Sequence, residues 1–238
     1  NLLIENSLKR IEKKKVPNKL IINLNDVIAE LFSTIASTFN SDFTNNFSII
    51  YSHFSLYLKK DFEVAQLYLA ELLESDKRYL DANNLYKNIK PSSSFYWHAK
   101  LKKARNLELL GENENSILIL KKMSNEKKDR YDALKLLGDI YRNYDKYNEA
   151  IKFYNEGVSR IKQIEVTHWE LLYSRGIAYE RNDEWNLAEK DFLKILELIP
   201  DQPDVLNYLG YSWIEQDTNL DQAKQYILKA VGIKPSDP

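Results

Sequence analysis

The sequence predicts an all-α protein, and three observations support this fold class. Apolar residues recur three and four positions apart along most of the 238 residues, as in "DALKLLGDIYRNY" and "LAEKDFLKILEL", which is the spacing of one helix face. Glycine and proline, the residues that most often interrupt helices, are scarce, with six of each. No run of alternating polar and apolar residues indicates a strand.

Composition and charge exclude several classes of protein. Hydrophobic residues make up 44% of the chain and charged residues 29%, which is typical of a folded domain. Because 34 basic residues stand against 35 acidic ones, the chain lacks the basic footprint of a nucleic-acid-binding protein, and we expect no nucleic-acid partner. The absence of cysteine excludes a disulfide framework and a thiolate metal site. No stretch reaches the roughly 18 consecutive apolar residues of a membrane-spanning helix.

Small residues recur at a fixed spacing, which we call the small-residue ladder. Steps of 34 residues, and one step of 38, join its six positions, which are Ala36, Ala70, Ala104, Gly138, Gly176 and Gly210. The ladder explains why glycine stands inside "LNYLGYSWIEQ", although it costs a helix interior about 1 kcal/mol relative to alanine. We interpret each small residue as the point where the second helix of a unit packs closely against the first.

Other residues keep register with the ladder. Three residues after each small residue stands a large one, and we expect the last three of these, Tyr141, Tyr179 and Trp213, to be buried. A second small residue follows after twelve or thirteen positions, and another packing residue four positions later. Gly111, in "LLGENENS", is predicted to lie in the turn between two paired helices.

This pattern resembles the tetratricopeptide repeat, a helix–turn–helix unit of 34 residues. The clearest matches are "LKLLGDIYRNYDKYNEAIKFY", "LLYSRGIAYERNDEWNLAEKDFLKILELIP" and "LNYLGYSWIEQDTNLDQAKQYILKAVGIKP", and they look most like bacterial members. The resemblance covers residues 29–238, most strongly from 131 onward. It implies a right-handed superhelical α-solenoid of about six units, at 29–62, 63–96, 97–130, 131–164, 169–202 and 203–238.

The earlier units depart from the family pattern. Gln66, Lys100 and Lys103 stand where the family favours apolar residues. We therefore expect the third unit to have either looser packing or a locally rotated helix.

The boundaries of the repeats carry further signals. Residues 1–28 predict an N-terminal helix and a linker, which we interpret as the remnant of a preceding repeat in a longer protein, with Asn25 capping the next helix. Four extra residues, 165–168, separate the fourth and fifth units. There Thr167 and Glu170 predict a capping box, and we expect a short helix extension plus a loop. The last unit is expected to expose an apolar face, which favours self-association.

No motif for catalysis or cofactor binding occurs. The sequence lacks a glycine-rich phosphate loop, an H-E-x-x-H pair and a G-x-S-x-G turn. The three histidines fall in different units and are predicted to be surface or helix-start residues. The carboxylates of "ERNDEW" and "GENEN" fall in turns, and the basic run "KRIEKKK" is interpreted as the solvated face of a helix. We therefore expect no enzyme activity, no cofactor and no metal.

The resemblance implies that the first helices line a concave groove for a peptide or partner protein. We expect an acidic stretch of that partner to face the basic groups of the groove, and an apolar side chain to face its tyrosines. Lys135 is followed one turn later by Asp139, where chaperone-tail-binding members have asparagine, so this specificity is not expected. The predicted partner-binding residues are Lys102, Arg105, Lys135, Asp139, Arg142, Tyr173, Asn207, Tyr208 and Tyr211.

The sequence thus predicts a non-catalytic scaffold for protein–protein interaction. Two alternatives are homotypic assembly as a structural module, and a substrate-recruiting domain of a larger enzyme. The bacterial cytoplasm and the cell envelope, including the periplasm, both stay open as its location.

Overall fold

The computed structural model describes residues 11–12, 23–39 and 45–235. Between residues 23 and 235 the described chain forms twelve α-helices, one 3-10 turn and no strand, which confirms the all-α fold class. The predicted helix of residues 1–28 and its basic run lie almost wholly outside the described residues. In chain order the helices are α1 (Leu24–Thr38), α2 (Asn45–Leu58), α3 (Glu63–Ser75), α4 (Tyr79–Tyr86), α5 (Tyr96–Leu109), α6 (Asn113–Glu126), α7 (Asp132–Asn143), α8 (Tyr147–Ser159), α9 (Trp169–Arg181), α10 (Trp185–Leu198), α11 (Pro203–Glu215) and α12 (Leu220–Ile233).

Contacts between helices are local in sequence. The chain divides into two compact units, residues 1–119 and 120–238, and each is described by itself. In the first unit, helices α1 to α5 each pack on the next helix along the chain, and in the second unit α7 to α12 do the same. The second unit also brings α7 against α9, the first helices of two successive pairs. Such nearest-neighbour packing is the arrangement of a helical-repeat protein.

The ladder glycines are the closest points between paired helices. A Cβ atom built on Gly138 would lie 2.3 Å from Cε1 of Tyr154, and one on Gly176 would lie 2.6 Å from Cε1 of Phe192. At Gly210 the corresponding distance to Cγ1 of Ile227 is 2.8 Å. These separations are shorter than a carbon–carbon contact, so only glycine fits without a shift of the second helix. The predicted packing role of the glycines is confirmed.

Serine takes part in the same contact in two earlier pairs. Ser48 stands twelve residues after Ala36, where later pairs have alanine, and its hydroxyl donates to the Ala36 carbonyl at 3.0 Å. Ser116 donates in the same way to the Ala104 carbonyl at 2.6 Å. Each buried hydroxyl therefore has a partner at the position against which it packs, which avoids the cost of an unpaired polar group.

In the second to sixth pairs, the turn between the paired helices uses a left-handed residue seven positions after the ladder. Gly111 has a φ of 80°, which confirms its predicted turn position. Residues with side chains take the same conformation in the other four of these pairs, at φ between 52° and 61°. Glycine adopts this region without steric cost, and aspartate tolerates it better than most residues. These residues are Lys77, Asp145, Asp183 and Asp217.

The cap predicted at Asn25 is wrong, because Asn23 caps α1. The side-chain oxygen of Asn23 accepts from the Asp26 N–H at 3.0 Å, and the Asp26 carboxylate accepts from the Asn23 N–H at 3.3 Å. This reciprocal pair satisfies two N–H groups that a helix start otherwise leaves open. In a capping box the second acceptor lies three residues after the cap. Asp26 lies three residues after Asn23 but only one after Asn25, so the box forms at Asn23.

The capping box predicted at Thr167 and Glu170 is also wrong. The box joins Glu165 and His168 instead, and the Glu165 N–H donates to Nδ1 of His168 at 2.9 Å. The insertion forms a 3-10 turn, Val166–His168, and α9 begins directly after it. Because α8 ends at Ser159, the inserted residues do not lengthen the preceding helix.

Arg160 orders the connection before α7. One guanidinium nitrogen, Nη1, donates to the carbonyls of Ser124, Lys127 and Arg130 at 3.0, 3.1 and 2.9 Å. The Ser124 carbonyl lies in the last turn of α6, where helix geometry leaves carbonyls without intrahelical N–H partners. The other two lie in the following loop, where the Lys127 carbonyl also accepts from the Arg130 N–H at 3.4 Å.

The departures of the third pair do not rotate its first helix. Ala99 and Ala104 of α5 are buried, as are Ala133 and Gly138 at the corresponding positions of α7. Lys100 lies half-buried, with its ammonium 5.4 Å above the Tyr96 ring. Gln66, at the equivalent position of α3, is buried, and its amide donates to the Lys60 carbonyl at 2.6 Å.

Two of the three aromatic residues expected in the core are buried. Trp213 and Tyr179 lie in the core of the second unit. Tyr141 is only half-buried, because its ring stacks on Phe153 at 5.3 Å near the surface.

Replacing Gly176 by alanine should lower the free energy of unfolding by about 1–3 kcal/mol, because the new methyl group overlaps the Phe192 ring. Gly157 is the matched control, since a Cβ there would lie 3.6 Å from the Leu171 methyl groups, an ordinary contact. Gly157→Ala should be neutral or stabilise by up to about 1 kcal/mol through helix propensity. Urea unfolding followed by circular dichroism measures both, and equal effects would contradict the ladder interpretation.

Candidate partner-binding surface

Two predicted residues of α7, Lys135 and Asp139, belong to one polar network. Lys135 Nζ lies 2.8 Å from Oδ2 of Asp139, one turn later, and 3.9 Å from the Glu170 carboxylate of α9. The Tyr154 hydroxyl donates to the other oxygen of Asp139 at 2.8 Å. The charge of Lys135 is therefore largely offset within the protein, and less of it is available to an acidic ligand.

Tyr154 reaches this network because of the ladder. Its ring lies against Gly138, so its hydroxyl reaches Asp139 of α7 although Tyr154 itself is fully buried. Burial raises the pKa of Tyr154, the negative charge of Asp139 raises it further, and Arg142 acts in the opposite direction. The hydroxyl consequently stays protonated and serves as a donor.

Arg142 is the cation of this surface with the fewest partners. It lies in the last turn of α7, where a positive charge interacts favourably with the helix dipole. It forms no ion pair with any residue in the described ranges, and its Nε is buried without a hydrogen-bond partner there. The guanidinium is thus held close to Tyr154 while part of its hydrogen-bonding capacity is unused.

Tyr173 and Tyr208 join α9 to α11. Their rings meet edge to face at 6.0 Å, and both contact Phe192 of the core, at 6.0 and 5.1 Å. The Tyr208 hydroxyl donates to Glu180 at 2.9 Å. Burial raises the pKa of Tyr208, with Glu180 as a further cause, and burial also raises the pKa of Tyr173, with Asp204 next. Both tyrosines therefore have structural partners within the second unit.

The freely accessible apolar side chains of this surface lie on α11. Tyr211 is 54% exposed and Ile214 is 47% exposed, and their spacing of three places them on one helix face. Asn207, one turn before Tyr211, is half-buried. We call the side chains of Lys135, Asp139, Arg142, Tyr173, Asn207, Tyr208 and Tyr211 the first-helix surface of the second unit.

The remaining predicted residues lie on α5 of the first unit. Lys102 Nζ binds Glu74 of α3 at 2.9 Å, so this lysine too has an internal partner. Arg105 is exposed. The neighbouring His98 is exposed and lies 3.6 Å from the Glu71 carboxylate, whose pKa is lowered chiefly by its hydrogen bond with His98.

Sequence reasoning missed a buried ion pair behind this surface. Two of the three guanidinium nitrogens of Arg175, Nε and Nη2, donate to Asp191, at 2.7 and 2.6 Å, and the third, Nη1, donates to Asn155 of α8 at 3.0 Å. Burial raises the pKa of the Asp191 carboxyl, and the Arg175 guanidinium opposes this shift. The sequence did hold a signal, because Arg175 and Asp191 occupy positions where the fourth unit has Leu137 and Phe153.

A metal centre and a membrane-spanning helix are both absent from the described part of the chain. Those residues contain no group of three or more histidine or acidic side chains placed to hold a metal ion. None of the helices described is both long and apolar enough to cross a membrane.

Comparison with known proteins agrees with this architecture. The family model described as tetratricopeptide repeat matches residues 131–163, the α7–α8 pair. A Pseudomonas aeruginosa protein, described as a tetratricopeptide-repeat-containing protein, is 27% identical to this chain over 177 residues. The chain thus contains a tetratricopeptide repeat. The match covers 74% of this chain but only 29% of that tetratricopeptide repeat protein, so the chain spans less than a third of its relative.

Solved structures similar to this chain include other tetratricopeptide repeat proteins and show the same fold. In the crystal structure of the hetero-tetramer Cut9–Hcn1 of the APC/C, the similar chain has a TM-score of 0.65 at 13% identity, with 88% of this chain and 40% of that chain covered. MamA from Desulfovibrio magneticus has a TM-score of 0.56 at 15% identity, with 76% and 99% covered. The tetratricopeptide repeat family is one of protein-interaction scaffolds, and this chain has the fold of such a scaffold.

Asp191→Ala should destabilise the protein by about 3–5 kcal/mol, because it leaves the buried Arg175 guanidinium without its carboxylate. The double variant Arg175→Leu, Asp191→Phe reproduces the apolar pair of the fourth unit and should recover most of the loss. Chemical unfolding of the parent and both variants measures this. A double variant as unstable as Asp191→Ala would show that this site requires the ion pair.

Proposed function

We propose that the first-helix surface of the second unit binds a peptide or a partner protein and that the chain acts as a non-catalytic scaffold. The observation that carries the proposal is that first helices of the second unit present exposed Tyr211 and Ile214 on α11 and, on α7, Arg142, a cation whose hydrogen-bonding capacity is partly unused. Tyrosine and arginine are among the residues that most often dominate protein interfaces.

The internal contacts refine the chemistry of the expected partner. Lys135 is paired with Asp139, so Arg142 is the group best placed to meet a carboxylate. Tyr208 is committed to Glu180 and Phe192, so Tyr211 and Ile214 are the side chains best placed to meet an apolar group. The partner segment should therefore carry an acidic side chain near an apolar one.

The repeat boundaries are part of this proposal. The six helix pairs support a division of residues 29–238 into six units after an N-terminal segment, 1–28. Helix α1 begins at Leu24, so the first unit would include a few residues of that segment. A role in recruiting substrate to a larger enzyme is also compatible, since the related protein of Pseudomonas aeruginosa is more than three times the length of the matched region.

The proposal is tested by a crosslinked pull-down from lysate of the source organism with the chain as bait. The variant Arg142→Glu, Tyr211→Ala should recover the partner about tenfold less than the parent, because it reverses the charge and removes the exposed ring. Tyr208 is left intact because its ring packs on Phe192, and its removal would disturb the fold.

The matched control places the same kinds of change on second helices. Lys152 of α8 and Leu193 of α10 are both exposed, so Lys152→Glu, Leu193→Ala alters charge and apolar area elsewhere. All three baits must show the same thermal transition. A partner lost equally with both variants, or retained by both, would contradict binding at this surface.

Self-association is a second candidate function, which one observation favours. Leu196 of α10 is 9% exposed and lies in the same core cluster as Val205 of α11, whereas Val231, the equivalent of Leu196 on α12, is 50% exposed. Leu31 of α1 is exposed as well, although its equivalents Leu171 and Val205 are buried. The α12 face of one copy could therefore receive the α1 face of another, as α10 receives α11 within the chain.

Such a head-to-tail contact would make the mass of the assembly rise with concentration. Val231→Lys and Leu31→Lys should each raise the dissociation constant about tenfold or more, because each buries a charge in the contact. Leu118→Lys is the control, since this exposed position of α6 already holds lysine in the fourth and fifth units, as Lys152 and Lys190. Sedimentation velocity measures the three variants, and a parent chain of constant mass would exclude this candidate.

A further inference from the structure

The first unit contains a cavity of about 640 Å³ that the sequence did not predict. One wall is the face of α1 that carries Glu30 and Ser33. Glu63 and Tyr68 of α3 also line it, together with Phe62, which directly precedes α3, and Phe95. The cavity therefore lies between first helices α1 and α3, within one compact unit.

The charges of the cavity walls do not balance. Among the residues that the structure describes, four carboxylates and two ammonium groups line it, an excess of two negative charges. Lys59 lies 3.3 Å from Asp26, and Lys90 lies 3.8 Å from Asp61. Glu63 accepts a hydrogen bond from the Ser93 hydroxyl, a neutral group, at 2.7 Å. Glu30 forms no ion pair with any residue that the structure describes.

The aromatic rings of the cavity suit a cation as well. The chain's own Lys59 shows this, because its ammonium lies 5.5 Å above the Phe62 ring while it pairs with Asp26. Tyr68 and Phe95 supply two further rings in the wall. A planar guanidinium combines stacking on aromatic faces with bidentate bonding to carboxylates, which an ammonium group cannot do.

We propose that this cavity receives the guanidinium of an arginine side chain from an extended segment of the partner protein. Glu30 and Glu63 bind the guanidinium, and the rings of Phe62 and Phe95 hold its planar face and the methylene stem. The inference rests on the proposed scaffold function for its choice of a protein segment as the ligand. The charge and shape of the cavity are independent of the first-helix surface of the second unit.

The test is an NMR titration of the ¹⁵N-labelled chain with N-acetyl-arginine methylamide and with its neutral isostere, N-acetyl-citrulline methylamide. The arginine compound should shift the amide signals of Ser33, Phe62 and Tyr68 with a dissociation constant on the order of millimolar, as expected for one side chain. The citrulline compound should bind about tenfold or more weakly, since it lacks the positive charge.

The double variant Glu30→Gln, Glu63→Gln should weaken arginine binding about tenfold or more, because it removes both carboxylates and keeps their size. Glu149→Gln is the matched control, an exposed glutamate of α8 in the second unit, and it should leave the affinity unchanged. Equal binding of citrulline and arginine, equal loss in both variants, or shifts outside the cavity would each overturn the inference.

A third probe separates a protein segment from a free guanidinium compound. The peptide Gly-Ser-Gly-Arg-Gly-Ser-Gly should bind more tightly than the single amino acid, because its backbone adds contacts along α1 and α3. Equal affinity would overturn the segment as the ligand. Loss of partner recovery in the Arg142 variant tests the scaffold function separately, so failure of the two proposals is distinguishable.

Discussion

The contact between a small residue of each first helix and a larger side chain of its second helix sets the geometry on which the rest of the structure depends. Where the small residue is glycine, the ring of Tyr154 or Phe192 lies against bare backbone, so the two helices approach more closely than any Cβ would permit. Burial of that ring more than offsets the propensity cost of the glycine, since an aromatic side chain contributes several times that amount when it leaves water. The same contact also determines polar chemistry, because it delivers the Tyr154 hydroxyl to Asp139 at the surface of α7.

Much of the fold could be predicted from the sequence, because the ladder depends on residue size at fixed spacing and size is visible in a sequence. Helix starts were less predictable. Asn23 and Asn25 are both suitable caps, and the choice depends on which of them finds Asp26 three residues later. The insertion held two competing pairs at the same spacing, and the Glu165–His168 pair formed instead of the Thr167–Glu170 pair. Sequence spacing identifies candidate caps, whereas the path of the preceding loop decides between them.

The candidate surface was predictable only in part. The Lys135–Asp139 pair follows from a separation of four residues on one helix, so its internal neutralisation could have been inferred. The link from Tyr154 to Asp139 joins two helices and requires their packing distance. The cavity of the first unit lies between α1 and α3 and involves the α2–α3 connection, whose path no repeat pattern specifies. The side chains available to a partner can therefore be identified only once the internal ion pairs and hydrogen bonds are known.

In the fifth unit, the Arg175–Asp191 ion pair stands where the fourth unit has two apolar side chains. Replacing a buried ion pair by apolar side chains is often neutral or stabilising, so the pair is not explained by stability alone. Its geometry offers another reason, since Arg175 binds Asp191 of its own unit and Asn155 of the preceding one, and Asn155 also accepts from the Tyr179 hydroxyl. These bonds have fixed directions, whereas apolar contacts tolerate sliding. They fix α9 relative to α8 and α10, and α9 contacts α7 directly and reaches α11 through the Tyr173–Tyr208 ring contact. A directional pair at this position holds the two halves of the candidate surface in one arrangement.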